Sequence, residues 1–216
     1  LAHLAGDGAL REAYREGADI HAATARAVFG DVTPDTRRKA KEVNFSIIYG
    51  ISPFGLAGRI GVSRGEAAGI INRYFERYPE VETFYRKTVG EAEATGETRT
   101  IMGRRRNFGS LAGARGQNRK QLERMVVNTT VQGSAADIVK AAMLGVHRSL
   151  GRELPRAKLV LQVHDELVVE CPPEFLEQGK AILCREMEKA APLAVPLSVE
   201  IGAGFDWLSA GHQEAK

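Results

Sequence analysis

The sequence predicts an α+β chain, helical over its first two thirds and mixed in its last third. Three features carry this expectation: helical segments punctuated by glycine and proline, two β-rich runs around a polar interruption, and a late alternating run. The best delimited helix opens at Thr33-Pro34, an N-cap followed by proline at the first helical position, and stops at Gly50. Gln117 to Asn128 and Ala135 to Leu150 read as two further helices separated near Gly133. Lys158 to Val163 and Leu167 to Glu170 read as strands, with His164-Asp165-Glu166 suited to a hairpin tip. Pro172-Pro173 opens a helix that ends before Pro192. Leu197, Val199 and Ile201 alternate with Ser198 and Glu200, which predicts a last strand with one face inward.

The helix from Thr33 to Gly50 also carries the clearest chemistry. At ~100° per residue, Arg37, Lys41, Phe45 and Tyr49 form one slowly drifting stripe, while Ala40, Val43 and Ile47 form an apolar back. With ~1.5 Å of rise per residue the stripe extends about 18 Å, long enough for a triphosphate against the cations and a base against the aromatics. An amphipathic helix with a solvated basic end is the plainer alternative, and Phe45 and Tyr49 would also serve as core residues. Aromatics at four-residue spacing beside cations favour the nucleotide reading.

Composition narrows the remaining classes. Lys+Arg 30 against Asp+Glu 27 gives a net charge of only +3 over 216 residues, so the distribution of charge says more than its sum. From Arg104 to Arg124 stand Arg104, Arg105, Arg106, Arg115, Arg119, Lys120 and Arg124 against the single acid Glu123, a local basic tract of the kind that meets phosphates. Cys171 and Cys184 have no metal-site spacing and read as reduced thiols, and no apolar run reaches membrane-spanning length. A cytoplasmic setting without membrane partners is expected. The first residue is Leu1 and the first methionine Met102, so the chain is expected to be a fragment.

Arg37, Lys41, Phe45 and Tyr49-Gly50 in this order resemble the fingers helix of family A DNA polymerases. Leu1 to Asp7, Asp19-Ile20-His21, Ile101 to Arg106, Asn128 to Asp137, Gln162-Val163-His164-Asp165-Glu166 and Asp206-Trp207-Leu208-Ser209 are similar to further elements of that family. The resemblance thus covers almost the whole chain; Thr129-Thr130 departs from a proline-containing variant common there. It implies a right-hand polymerase fold, with residues 1–10 a palm remnant, 11–110 fingers and 111–216 palm.

The resemblance also implies roles. His21, Arg37 and Lys41 would meet the triphosphate, with Lys41 also able to protonate the leaving pyrophosphate; Phe45 would lie against the sugar and Tyr49 near the templating base. Asp165 and Glu166, carboxylates at a strand-supported tip, would hold magnesium, two ions in the complete enzyme, while His164 would contact the primer terminus. Arg124, Asn128 and Gln132 recur every four residues and can share one groove if the helix persists, reading minor-groove acceptors common to all base pairs. Arg104, Arg105 and Arg106 would hold backbone phosphates, and Arg38 would also contact the DNA. The family's other catalytic aspartate, its ribose-excluding glutamate and its thumb would lie upstream of Leu1. The expected function is DNA-directed DNA synthesis from dNTPs on a primer-template, in partnership with the upstream part of the same polymerase. The alternatives are a noncatalytic DNA-binding fragment and part of a phage-type single-subunit RNA polymerase.

Overall fold

The computed structural model describes residues 1–109, 111 and 113–211. They fall into two compact units that divide after Ser134. The first contains α1 (Ala2–Ala5), α2 (Gly8–Arg15), α3 (Ile20–Phe29), α4 (Pro34–Ile48), α5 (Pro53–Ile60), α6 (Arg64–Arg77), α7 (Pro79–Thr95), β1 (Glu97–Arg99), β2 (Arg105–Asn107) and the start of α8 (Gly116–Glu153). The second contains the remainder of α8, β3 (Lys158–Val163), β4 (Glu166–Glu170), a 3-10 turn Pro173–Phe175, α9 (Leu176–Glu188) and α10 (Trp207–Gly211). The expected α+β class holds. No helix among the described residues is long and apolar enough to cross a membrane.

α4 forms where its caps place it. Thr33 Oγ1 accepts from the Thr36 amide at 3.1 Å while Thr36 Oγ1 accepts from the Thr33 amide at 2.8 Å, a reciprocal box that satisfies two otherwise orphaned donors. At the other end Gly50 takes φ +64°, a conformation that a side chain would strain. The apolar back is fully used: Ala40 and Val43 are 0% exposed and Ile47 2%. Burying the two larger side chains stabilises the unit by roughly 1.5–3 kcal/mol each. α3 packs along this face, and α6 and the start of α7 add Ile70, Tyr74, Tyr78 and Val81 to the buried set.

Three sequence expectations are corrected. The first two thirds are not wholly helical, because β1 and β2 pair antiparallel between Gly96 and Gly109, both at positive φ. The predicted break near Gly133 is absent: α8 is one helix of 38 residues, about 57 Å long at ~1.5 Å per residue. An interior glycine costs a helix only about 1 kcal/mol, and here it admits a close neighbour. A Cβ on Gly133 would lie 2.7 Å from Thr100 Cγ2. Finally, the segment from Leu197 to Ile201 alternates between half-buried and exposed as its pattern requires, yet no strand is assigned there. Alternation specifies a face; a strand also needs a neighbouring edge, and the described sheet of this unit pairs only β3 with β4.

That β3–β4 hairpin runs in the register Val163↔Glu166, leaving His164 and Asp165 as a two-residue turn, with an irregularity between Leu159 and Leu161. Leu159, Leu167 and Val169 pack on Val146, Leu150 and Leu154 of α8, Ala157, and Ile182 of α9, which anchors the hairpin base.

Candidate functional site

The stripe on α4 is a surface, not a core. Phe45 is 43% exposed and Tyr49 40%, on the side opposite the buried back, which excludes the core reading of both aromatics. Lys41 is exposed and makes no ion pair with a described residue. Arg37 is joined to the N-cap of α3: its Nε donates to Asp19 Oδ2 at 2.6 Å, and this guanidinium holds the Asp19 carboxyl below the usual range. The other Asp19 oxygen accepts from the amides of His21 and Ala22 at 2.9 and 3.0 Å. Since Arg37 is engaged through Nε, the terminal edge of its fork makes no hydrogen bond to a described residue. Arg38 turns aside to Asp35 at 2.7 Å.

His21 lies against this stripe, its ring 6.1 Å from that of Phe45. Burial lowers its pKa below the ordinary imidazole value, with Arg37 and Lys41 reinforcing the effect and the Asp19 carboxylate opposing it. The ring is held from behind by Asn44, whose Nδ2 is 2.9 Å from His21 Nδ1 and whose Oδ1 accepts from Thr24 Oγ1 at 3.0 Å. Sequence reasoning missed Asn44. Its signal was a polar residue on the apolar back of α4, one turn after Ala40.

A second site is an open groove of about 450 Å³ in the first unit, lined by Arg106, Met125, Asn128, Thr129, Gln132 and Gly133. Arg106 is aimed by two contacts, a hydrogen bond from its Nη1 to Thr129 Oγ1 at 2.8 Å and the Phe108 ring 5.0 Å beneath it. The β1–β2 hairpin is fastened to α8 by Thr98 Oγ1 to Thr130 Oγ1 at 2.8 Å and by the Ile101 amide to Ser134 Oγ at 2.8 Å. Asn128 Oδ1 is buried and has no hydrogen-bond partner among the described residues. The helix does persist, so Asn128 and Gln132 share the groove. Arg124 does not line it: a Cβ on Gly50 would meet Arg124 Cγ at 2.9 Å, and Arg124 Nε turns back to the Lys120 carbonyl at 3.3 Å. Arg104 and Arg105 are exposed, the latter 3.8 Å from Glu97.

In the second unit the hairpin tip holds Asp165 and Glu166, both exposed. His164 is the one non-glycine residue at positive φ, +50°, among the described residues, and the Gln162 side-chain amide donates to its carbonyl at 2.6 Å. Such a turn costs about 1–2 kcal/mol and fixes the direction in which Asp165 leaves the strand. Glu166 Oε2 accepts from the Trp207 indole at 3.2 Å, a contact that the sequence did not announce. Both carboxylates are hard oxygen donors of the kind magnesium takes. They fit such an ion only as part of a larger ligand set; no group of three or more His, Cys, Asp or Glu able to hold a metal occurs among the described residues.

Comparison with known proteins identifies the family. The profile described as DNA polymerase family A matches residues 1–209. The chain is 46% identical over 211 residues to DNA polymerase I of Caldicellulosiruptor bescii, covering 96% of this chain and 25% of that protein. It is 44% identical over 217 residues to the thermostable DNA polymerase I of Thermus filiformis, covering 97% and 26%. Among solved structures, the POL domain of Pol1 from M. smegmatis, in complex with DNA primer-template and dNTP, superposes with a TM-score of 0.92 at 37% identity, covering 98% of this chain and 38% of that one. The chain spans about a quarter of the length of these curated relatives. With a family profile matched over residues 1–209 and relatives 44–46% identical across almost the whole chain, the chain belongs to DNA polymerase family A.

Proposed function

We propose that this chain supplies the fingers and a palm portion of a DNA-directed DNA polymerase, with residues 1–10 and 111–216 as palm and 11–110 as fingers; residues 110, 112 and 212–216 lie outside the described ones. The observation that carries the reading is the exposed Arg37, Lys41, Phe45 and Tyr49 stripe on a helix whose opposite side is fully buried. Arg37 and His21 bind the outer phosphates of a dNTP, and the Asp19 bond that Arg37 makes through Nε leaves its fork oriented for this. Lys41 neutralises the triphosphate and donates a proton to the departing pyrophosphate. Phe45 flanks the sugar and Tyr49 the templating base. Asn128 and Gln132 face the minor groove of the primer-template, with Arg124 beside them. Arg38, Arg104, Arg105 and Arg106 hold backbone phosphates, and His164 the primer terminus. Asp165, with Glu166 adjacent, would hold magnesium, which when bound would supply charge neutralisation for the in-line transfer. The missing donors come from the rest of the polymerase. Free thiols at Cys171 and Cys184 support a reducing, cytoplasmic setting.

A noncatalytic DNA-binding role for the isolated chain is favoured by one fact: among the described residues no group of three or more His, Cys, Asp or Glu could hold a metal. The RNA polymerase alternative is set aside by the family match. Asp165→Asn, in a polymerase carrying this segment, separates binding from chemistry. Primer-template affinity across a salt series should stay within about twofold, because its phosphate contacts lie elsewhere. Single-turnover extension should fall roughly 10³-fold, the rate equivalent of several kcal/mol of lost charge stabilisation. Extension at near wild-type rate would remove Asp165 from the metal site.

A further inference from the structure

Behind His21 runs a chain of polar contacts that reaches the interior of the first unit. Tyr78 Oη lies 3.5 Å from Thr24 Oγ1, Thr24 Oγ1 donates to Asn44 Oδ1 at 3.0 Å, and Asn44 Nδ2 lies 2.9 Å from His21 Nδ1. Thr24 is 0% exposed, Tyr78 1% and Asn44 7%, so the inventory must close largely without solvent. The Tyr78 hydrogen has no other acceptor among the described contacts and goes to Thr24. The Thr24 hydrogen then passes to Asn44 Oδ1. That sets the amide with its NH2 toward the ring, and an NH2 can only donate, so His21 Nδ1 must offer a lone pair. The opposite amide orientation would leave one of the two buried hydroxyl hydrogens, that of Thr24 or that of Tyr78, without a partner, at a cost of about 1–3 kcal/mol.

We propose that Asn44 is a positioning residue that fixes His21 as the neutral tautomer protonated on Nε2, so that a hydrogen-bond donor rather than a lone pair meets an incoming phosphate oxygen. The phosphate half of this statement rests on the role given to His21 above. Every charged group facing the ring bears on it. From α4, Arg37 and Lys41 disfavour an imidazolium; from the cap of α3, Asp19 favours one, yet its two oxygens are committed to the His21 and Ala22 amides and to Arg37. The start of α7 contributes Tyr78, acting through Thr24. Protonating Nδ1 would set an N–H against the Asn44 NH2, two donors with no acceptor between them. A neutral donor has a use here: it contributes a directional bond to phosphate beside two cations without adding a third charge for them to repel.

The test is direct. In protein labelled with ¹⁵N-histidine, long-range proton–nitrogen correlation at pH 7 should show His21 with a bare Nδ1 and a protonated Nε2. Asn44→Asp, close in shape but accepting on both oxygens, should move the proton to Nδ1 and raise the His21 titration midpoint by about one unit. Thr24→Val, which removes only the hydroxyl that orients the amide, should give a mixture of tautomers. It should also weaken binding of a deoxynucleoside triphosphate about two- to threefold. A wild-type ring found as Nδ1–H or as imidazolium at pH 7 overturns the proposal, as does a ring that remains wholly Nε2–H in whichever of the two variants keep the native fold. His21→Ala tests the phosphate reading separately: unchanged triphosphate binding would defeat that reading, whatever tautomer the resonances show.

Discussion

Phe45 stands on an exposed face beside Lys41 and 6.1 Å from the His21 ring, so a hydroxyl added at its para position is not forced into the core. Phe45→Tyr should therefore leave overall dNTP incorporation near normal. It should also ease use of terminators lacking the 3′-hydroxyl, because the phenol supplies the hydrogen bond which the missing sugar hydroxyl would have made. One such bond is worth about 1 kcal/mol, roughly a fivefold change in discrimination. Competition between deoxy and dideoxy substrates in a polymerase carrying this segment measures it, and an unchanged ratio removes Phe45 from the sugar. The exposed α4 stripe was legible in the sequence because its residues repeat at helical spacing. Asn44 was not, since its partner Thr24 is 20 residues away and only the packing of α3 on α4 brings them together. Arg124 has the helical spacing of Asn128 and Gln132 yet does not line their groove, for a related reason. Helical spacing gives the direction in which a side chain leaves the backbone, whereas a long arginine chooses its end point from its neighbours, here Gly50 and the Lys120 carbonyl.

At the scale of elements the informative position is Gly133. In sequence it resembles a break; in the fold it is a point of contact at which α8 meets the turn after β1. Thr100 cannot swing away cheaply, because its Oγ1 accepts the Arg104 amide at 3.1 Å. Gly133→Ala should gain about 1 kcal/mol of helix propensity and lose about 1–3 kcal/mol to overpacking, a net destabilisation in most of that range. Adding Thr100→Ser removes the obstructing methyl and keeps the oxygen. The double variant should recover wild-type stability or exceed it, and the departure from additivity should be of order 1 kcal/mol or more. Denaturant midpoints for the four proteins of this cycle measure the coupling; additive effects would mean that the two positions do not touch. The same contact explains what could be read of the elements. α4 and the β3–β4 hairpin were legible because caps, apolar periodicity and turn residues are local. The β1–β2 hairpin was not, because its strands are three residues each and it is held by Thr98, Ile101 and Thr100 on a helix more than 30 residues later.

For the whole molecule, the deciding quantity is the number of donors that the proposed magnesium site needs. Two closely spaced divalent ions repel each other, and the substrate triphosphate adds charge that protein ligands and ions must balance together; adjacent carboxylates at a single hairpin tip are one anchor of such a site. Among the described residues Asp165 and Glu166 have no companions with which to form a larger group, and the chain spans about a quarter of the length of its curated relatives. Val160, Leu161, Phe205 and Leu208 are also exposed, apolar surface of a kind that a partner covers or that associates when left open. The 216-residue chain alone should therefore bind primer-template DNA in a salt-dependent way through its basic tract, tend to associate, and fail to extend primers at any magnesium concentration. Supplying the remaining part of the polymerase as a separate polypeptide should reduce association and restore extension that depends on magnesium and is lost again with Asp165→Asn. Templated synthesis by the purified chain by itself, sensitive to chelation, would show that these residues build a complete metal site. The division of donors between this chain and the rest of the polymerase would then have to be abandoned.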